Sequence, residues 1–165
     1  MKKLFFTLAL LATVYLQQSI AQNQLTPASP LLSTYYGIKN ALVNSDANTA
    51  ASQAAAFQKT LQAIDMKSLP DTSMTVFMSL QGKLTKDAAY IAGNKDISRQ
   101  REHFTTLSAN MFTLVKALKL SSQPVYYDYC PMKKAYWLSS EATIKNPYFG
   151  NQMLTCGKTT ETLNN

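Results

Sequence analysis

The sequence predicts a mainly α protein, an antiparallel four-helix bundle that ends in a small β-hairpin and a turn-rich segment. Three observations carry this. Four stretches between residues 30 and 120 repeat apolar residues at helical spacing. The breaks between them are short, which sends consecutive helices back antiparallel. After Ser121-Ser122-Gln123-Pro124 the composition turns aromatic and β-branched, as in strands.

The elements follow in order. Pro30 suits a first helical turn with Ser29 as its cap, and Leu31, Tyr35, Ile38 and Leu42 fall on one face. The second helix is expected from about Ala47 to Met66, capped by Ser45 or Asp46, with a stripe of Ala50, Ala54, Phe57, Leu61 and Ile64. Its alanines allow a close neighbour. Ser68-Leu69-Pro70-Asp71-Thr72-Ser73 interrupts the pattern. The third helix carries Phe77, Leu80, Leu84, Ala88 and Ile91 and stops at Gly93-Asn94. Asp96 caps the fourth, where Ile97, Phe104, Met111 and Leu118 recur every seven residues with Leu107 and Leu114 between them. Val125–Tyr129 and Ala135–Leu138 read as the strands of a hairpin that turns at Met132-Lys133-Lys134. Asn146-Pro147 and Phe149-Gly150 mark turns. Met66, Met74, Met78 and Met111 lie on or beside the apolar stripes and read as core filling.

Ahead of this domain the chain reads as an export signal. Lys2 and Lys3 precede an apolar run from Leu4 to Leu16, and Ser19-Ile20-Ala21 offers small residues for cleavage before Gln22. The apolar run is too short for a membrane span, which takes about 20 residues. The expected organisation is a signal peptide over 1–21, a disordered lead-in over 22–29 and one domain over 30–165, with its hairpin region at about 123–158. The product is expected in the periplasm or outside the cell, with no stable membrane insertion. Removing Lys2 and Lys3 takes the formal charge from +7 to +5. The remaining lysines are scattered, so nucleic acid is not an expected partner.

Two segments concentrate soft-ligand chemistry. Tyr129-Cys130-Pro131-Met132 and Met153-Leu154-Thr155-Cys156 each pair one of the two cysteines with a methionine. Thiolate and thioether together favour Cu(I) over harder ions. On a strand Cys130 and Met132 would share a face, and on a helical turn Met153 and Cys156 would do so. His103, the single histidine, lies beside Phe104 at the edge of the helix-four stripe and is a candidate auxiliary nitrogen ligand. The candidate metal ligands are therefore Cys130, Met132, Met153, Cys156 and His103. The same cysteines could instead form a disulfide, since an exported chain with an even cysteine count is the usual setting for one. Closing that loop would stabilise the fold by roughly 3.5 kcal/mol. The dense aromatics from Tyr126 to Phe149 allow either a small core or a docking surface. No phosphate loop, His-Glu protease motif or Cys-x-x-Cys redox motif is present, so an enzyme is not expected.

From Tyr35-Tyr36 to Leu163 the chain resembles a bacterial family of exported domains of unknown function (DUF3347). The resemblance rests on Arg101-Glu102-His103-Phe104 with Leu107-Ser108, on Tyr129-Cys130-Pro131-Met132, on Tyr136-Trp137-Leu138-Ser139, and on Asn146-Pro147-Tyr148-Phe149-Gly150 through Met153-Leu154-Thr155-Cys156-Gly157. Similar domains also occur fused to periplasmic adaptor subunits of copper- and silver-type efflux pumps. The resemblance thus implies a non-enzymatic Cu(I)-binding protein that buffers the ion or delivers it to an efflux system, with an efflux adaptor as partner. The other reading is a disulfide-stabilised module that docks on an envelope or efflux-pump partner. Lys133-Lys134-Ala135 is shorter and more basic than the family's usual stretch after Cys-Pro-Met.

Overall fold

Ser29 begins the part of the chain that the computed structural model describes, residues 29–164. The expected signal peptide and all of the lead-in except Ser29 lie outside these described residues. The Ser29 hydroxyl accepts the Leu32 N–H at 3.2 Å and starts α1 (Pro30–Val43). Asp46 accepts the Thr49 N–H at 2.9 Å and starts α2 (Ala47–Gln62). Each side-chain oxygen satisfies one of the N–H groups that a helix leaves open at its start. α2 stops four residues short of the expected Met66, because Asp65 caps a separate 3-10 turn at Met66–Ser68. Pro70 then leads into α3 (Asp71–Gly93). Asp96 accepts the Ser98 N–H at 2.9 Å at the start of α4 (Ile97–Leu118), which ends at Lys119 in a left-handed conformation.

The described residues are mainly helical, and each helix packs on the next in sequence. The predicted stripes meet in the core. Leu32, Ile38 and Leu42 of α1, Ala50, Ala54 and Phe57 of α2, Phe77 and Leu84 of α3, and Phe104, Leu107 and Met111 of α4 are buried without exposed surface. Removing each leucine, isoleucine, phenylalanine or methionine side chain among them from water contributes about 1.5–3 kcal/mol. Two methionines do not fill the core as expected. Met78 is 61% exposed and Met66 42%.

The C-terminal part is a three-stranded antiparallel sheet rather than a hairpin alone. β1 (Val125–Cys130) lies in the middle, with β2 (Ala135–Ser139) on one side and β3 (Lys158–Leu163) on the other. Tyr127 pairs with Leu138 and, across the other ladder, with Glu161. The β3 register slips between Tyr127 and Asp128, which opposes Thr159. Phe112 of α4 stacks on Tyr127 with ring centroids 3.8 Å apart, and Lys116 of α4 pairs with Glu161 at 2.9 Å. The sheet is thereby fastened to α4.

The sheet also encloses charge. Lys39 of α1 and Asp128 of β1 are both fully or almost fully buried. Asp128 Oδ1 accepts the Thr159 hydroxyl at 2.7 Å, while Oδ2 has no hydrogen-bond partner. Burial pushes the Asp128 carboxyl up and the Lys39 amine down from their ordinary values. No described helix is long and apolar enough to cross a membrane.

Candidate functional site

β1 ends at Cys130, and Pro131 to Lys134 form the reversal into β2, with Lys134 at φ 55°. The strand geometry that would place Cys130 and Met132 on one face therefore stops two residues short of Met132. Cys130 is buried without exposed surface, whereas Met132 rides the turn at 64% exposure. The same turn delivers the Lys133 backbone N–H to the Cys130 sulfur at 3.4 Å.

The second cysteine arrives on a loop wound around Asn146, a residue with no exposed surface. The Asn146 N–H donates to the Leu154 carbonyl at 2.8 Å, and its own carbonyl accepts the Gly150 N–H at 3.0 Å. Oδ1 accepts the N–H groups of Tyr148 and Phe149 at 2.8 and 3.3 Å. Nδ2 donates to the Cys130 sulfur at 3.2 Å and to the Cys156 carbonyl at 2.7 Å. One side chain thus joins the end of β1 to the segment that bears Cys156. Pro147 favours extended backbone at Asn146. Gly150 then turns at φ 56°, where an added Cβ would lie 2.7 Å from the Val43 carbonyl oxygen and 2.8 Å from Arg101 Nη2. A 3-10 turn at Gly150–Gln152 follows, and the Cys156 N–H donates to the Met153 carbonyl at 3.0 Å.

Arg101 ties this loop to the helices. Its Nε donates to the Pro147 carbonyl at 2.8 Å, and Nη2 donates to the Leu42 carbonyl at 2.9 Å and the Ser45 hydroxyl at 3.0 Å. Tyr148 adds a hydroxyl that donates to the Tyr136 carbonyl of β2.

The outcome is a pair of free thiols side by side. Cys156, half-buried, lies beside Cys130, since one Asn146 amide reaches both the Cys130 sulfur and the Cys156 carbonyl, and burial and that neighbour push its pKa up. Cys130 thus receives N–H groups from Lys133 and Asn146. Such a pair can hold one soft ion between two thiolates or close to a disulfide. Met153, half-buried, sits on the same loop. No group of three or more His, Cys, Asp and Glu side chains converges among the described residues.

His103 lies elsewhere. Its Nδ1 is 2.9 Å from Asp87 Oδ1, and its ring stacks on Tyr90 at 3.7 Å, so both neighbours belong to α3. Thr106 donates to the other Asp87 oxygen at 2.7 Å. Arg101, the α4 residue that does reach the C-terminal loop, is two positions away and hence about 200° around the helix. The structure therefore brings Cys130 and Cys156 together, keeps Met153 on their loop, and turns Met132 and His103 away. Asn146 was absent from the expected site. Its Asn-Pro signature announced a turn, but no sequence signal announced a side chain facing a sulfur.

Beside the site an aromatic run crosses the sheet. Tyr127 stacks on Tyr136 at 4.7 Å, and Tyr129 lies 4.6 Å from Tyr136, which is exposed.

A family model described as a protein of unknown function (DUF3347) matches residues 31–123, more than half of the chain. The match runs from α1 to the loop before β1, so it contains Arg101 and His103 and ends ahead of both cysteines. No curated protein and no solved structure matches the chain.

Proposed function

The chain belongs to the family of proteins of unknown function DUF3347, and on that premise we propose that it is a non-enzymatic, exported Cu(I)-binding protein. Cys130 and Cys156 are its thiolate ligands, and Met153 is the nearest candidate for a thioether ligand. The observation that supports this is the meeting of two cysteines from separate segments, with an amide and a backbone N–H, rather than a carboxylate, beside the sulfurs. Thiolates without oxygen ligands suit Cu(I), which accepts few and soft ligands, better than calcium, magnesium or manganese. Four-coordinate zinc asks for two further protein ligands of a kind that does not gather here among the described residues.

In this reading the four helices form an antiparallel up-down-up-down bundle that acts as the platform for the sheet. Export through residues 1–21 places the protein in the periplasm or outside the cell. There it buffers the ion or passes it to the adaptor of an efflux system. Anaerobic competition for Cu(I) between a chelator and the reduced chain tests the reading. One ion bound per chain supports it. A reduced chain that leaves all the copper with a moderate-affinity chelator sinks it.

A second reading draws on the same contact and on the aromatic run, of which Tyr136 is exposed and Tyr127 and Tyr129 are half-buried. Cys130 and Cys156 then close a structural disulfide, and Tyr127, Tyr129 and Tyr136 dock an envelope or efflux-pump partner. A thiol count on protein taken directly from the compartment separates the two readings. Two free thiols favour copper, and none favours the docking module.

A further inference from the structure

We propose that Asn146 is a positioning residue that holds the Cys130–Cys156 pair in its dithiol form. The proposal rests on the copper reading for its purpose, because only the dithiol can take a metal. The chemistry itself is a property of the metal-free chain.

The argument starts from the orientation of the amide. Oδ1 is fixed by two backbone N–H groups, from Tyr148 and Phe149. With the oxygen so held, Nδ2 has to face the opposite way. One of its protons goes to the Cys156 carbonyl at 2.7 Å and the other to the Cys130 sulfur at 3.2 Å. Asn146 has no exposed surface, so no water competes for these bonds. The donor is therefore built in before any ligand arrives.

Disulfide formation works against this arrangement. The two thiols give up two protons and two electrons, and a sulfur–sulfur bond of about 2.05 Å replaces the two S–H bonds. A disulfide sulfur is a poorer hydrogen-bond acceptor than the thiolate, the form in which the reduced pair binds metal. Cys130 then loses most of what Asn146 and the Lys133 N–H, 3.4 Å away, supply to it. Interactions present only in the reduced form raise the reduction potential of a cysteine pair. Asn146 accordingly weights the pair toward the state that binds metal, in a compartment that favours disulfides.

The test equilibrates the metal-free chain with mixtures of reduced and oxidised dithiothreitol. In each exchange a protein thiolate attacks the reagent disulfide, and the displaced reagent sulfur takes up a proton. The second protein thiolate then attacks the protein sulfur of that mixed disulfide, which breaks its bond to the reagent and releases reduced dithiothreitol. Trapping free thiols by alkylation gives the equilibrium constant for wild type and for Asn146→Ala. Loss of one buried hydrogen bond to Cys130 should shift the equilibrium toward disulfide by roughly fivefold, which is about 20 mV for a two-electron couple. The sign is diagnostic. A residue that merely kept the loop in shape would, on removal, let the thiols drift apart and shift the equilibrium toward dithiol. That result, or no shift, overturns the proposal. If Asn146→Ala does not fold, the wild-type chain still decides. On oxidation the Asn146 side-chain amide protons should move more than those of any other asparagine or glutamine in nitrogen-15 NMR spectra, and unmoved signals overturn the proposal. Because no metal is present, a reduced chain that failed to bind Cu(I) would remove the copper reading and leave this result standing.

Discussion

The hydroxyl of Tyr35 accepts the backbone N–H of Leu138 at 3.0 Å, which joins α1 to the edge strand β2. The same hydroxyl shares a hydrogen bond with Ser108 of α4 at 2.7 Å, and the Tyr35 ring stacks on Phe104. One phenol thus connects two helices and the sheet inside the core, where an unpaired N–H has no water to turn to. Tyr35→Phe keeps the ring packing and leaves Leu138 N–H and Ser108 without this partner. The expected loss is about 1–3 kcal/mol of stability. Urea denaturation checks this, with a lower midpoint and an unchanged slope.

Asp128 predicts a pH dependence. Burial raises its folded-state pKa, and the Thr159 hydroxyl and the nearby Lys39 charge only partly oppose this. An acid whose folded pKa lies above its unfolded value binds more protons in the folded state. Stability therefore falls as pH climbs from the ordinary value near 3.8 through the raised one. Asp128→Asn has no proton to lose there and can still accept the Thr159 hydroxyl. Relative to wild type it should be no more stable near the bottom of that window and more stable at pH 7. Denaturation at several pH values is the measurement, and parallel curves for the two proteins would refute the assignment.

Arg101 supports the site from outside it. Three hydrogen bonds from one guanidinium link Leu42, Ser45 and Pro147. Arg101→Lys keeps a positive charge and loses the planar fork that reaches two directions at once. A cost of about 2 kcal/mol is expected. The loosening should be local, so hydrogen exchange at the amides of Gly150 and Cys156 should speed up more than exchange in α2 or α3. Equal changes everywhere would deny Arg101 its role as a local tie.

The helices were legible because their signals are short-range. Ser29, Asp46 and Asp96 cap their own helices within three residues, and apolar spacing alone selects the buried faces. β3 escaped because Lys158–Leu163 alternates nothing. It is threonine-rich and mostly exposed, and its place depends on distant contacts such as Thr159 with Asp128. The buried Lys39 was unreadable for a related reason. From sequence α1 needs one apolar face, but the core closes around its lysine as well. The two cysteines were identified as a unit from residue chemistry, and the fold does place them together. The Met132 addition assumed strand geometry through positions where a turn intervenes, and the His103 addition rested on residue type at the edge of a stripe, where Asp87 and Tyr90 of α3 take its ring.

Those differences sharpen the expected pattern of copper binding. Cys130→Ser or Cys156→Ser leaves a single thiolate, so each should weaken Cu(I) binding by more than about 100-fold, beyond the 10–100-fold usual for outer partners. The double change should add little, because the two residues act as one site. Met132→Leu should be silent, since its side chain is 64% exposed on the β1–β2 turn. Met153→Leu keeps volume on the loop that carries Cys156 and is the informative change. A weakening of about tenfold would make the thioether a third ligand, and no effect would leave the ion two-coordinate. His103→Ala should leave copper affinity alone and loosen α3 from α4 instead, because its contacts are with Asp87 and Tyr90. Chelator competition on the six reduced variants, beside thermal melts, reads all of this. Should the cysteine variants lose only stability and keep wild-type behaviour toward copper, the thiols are structural and the docking module is the better account.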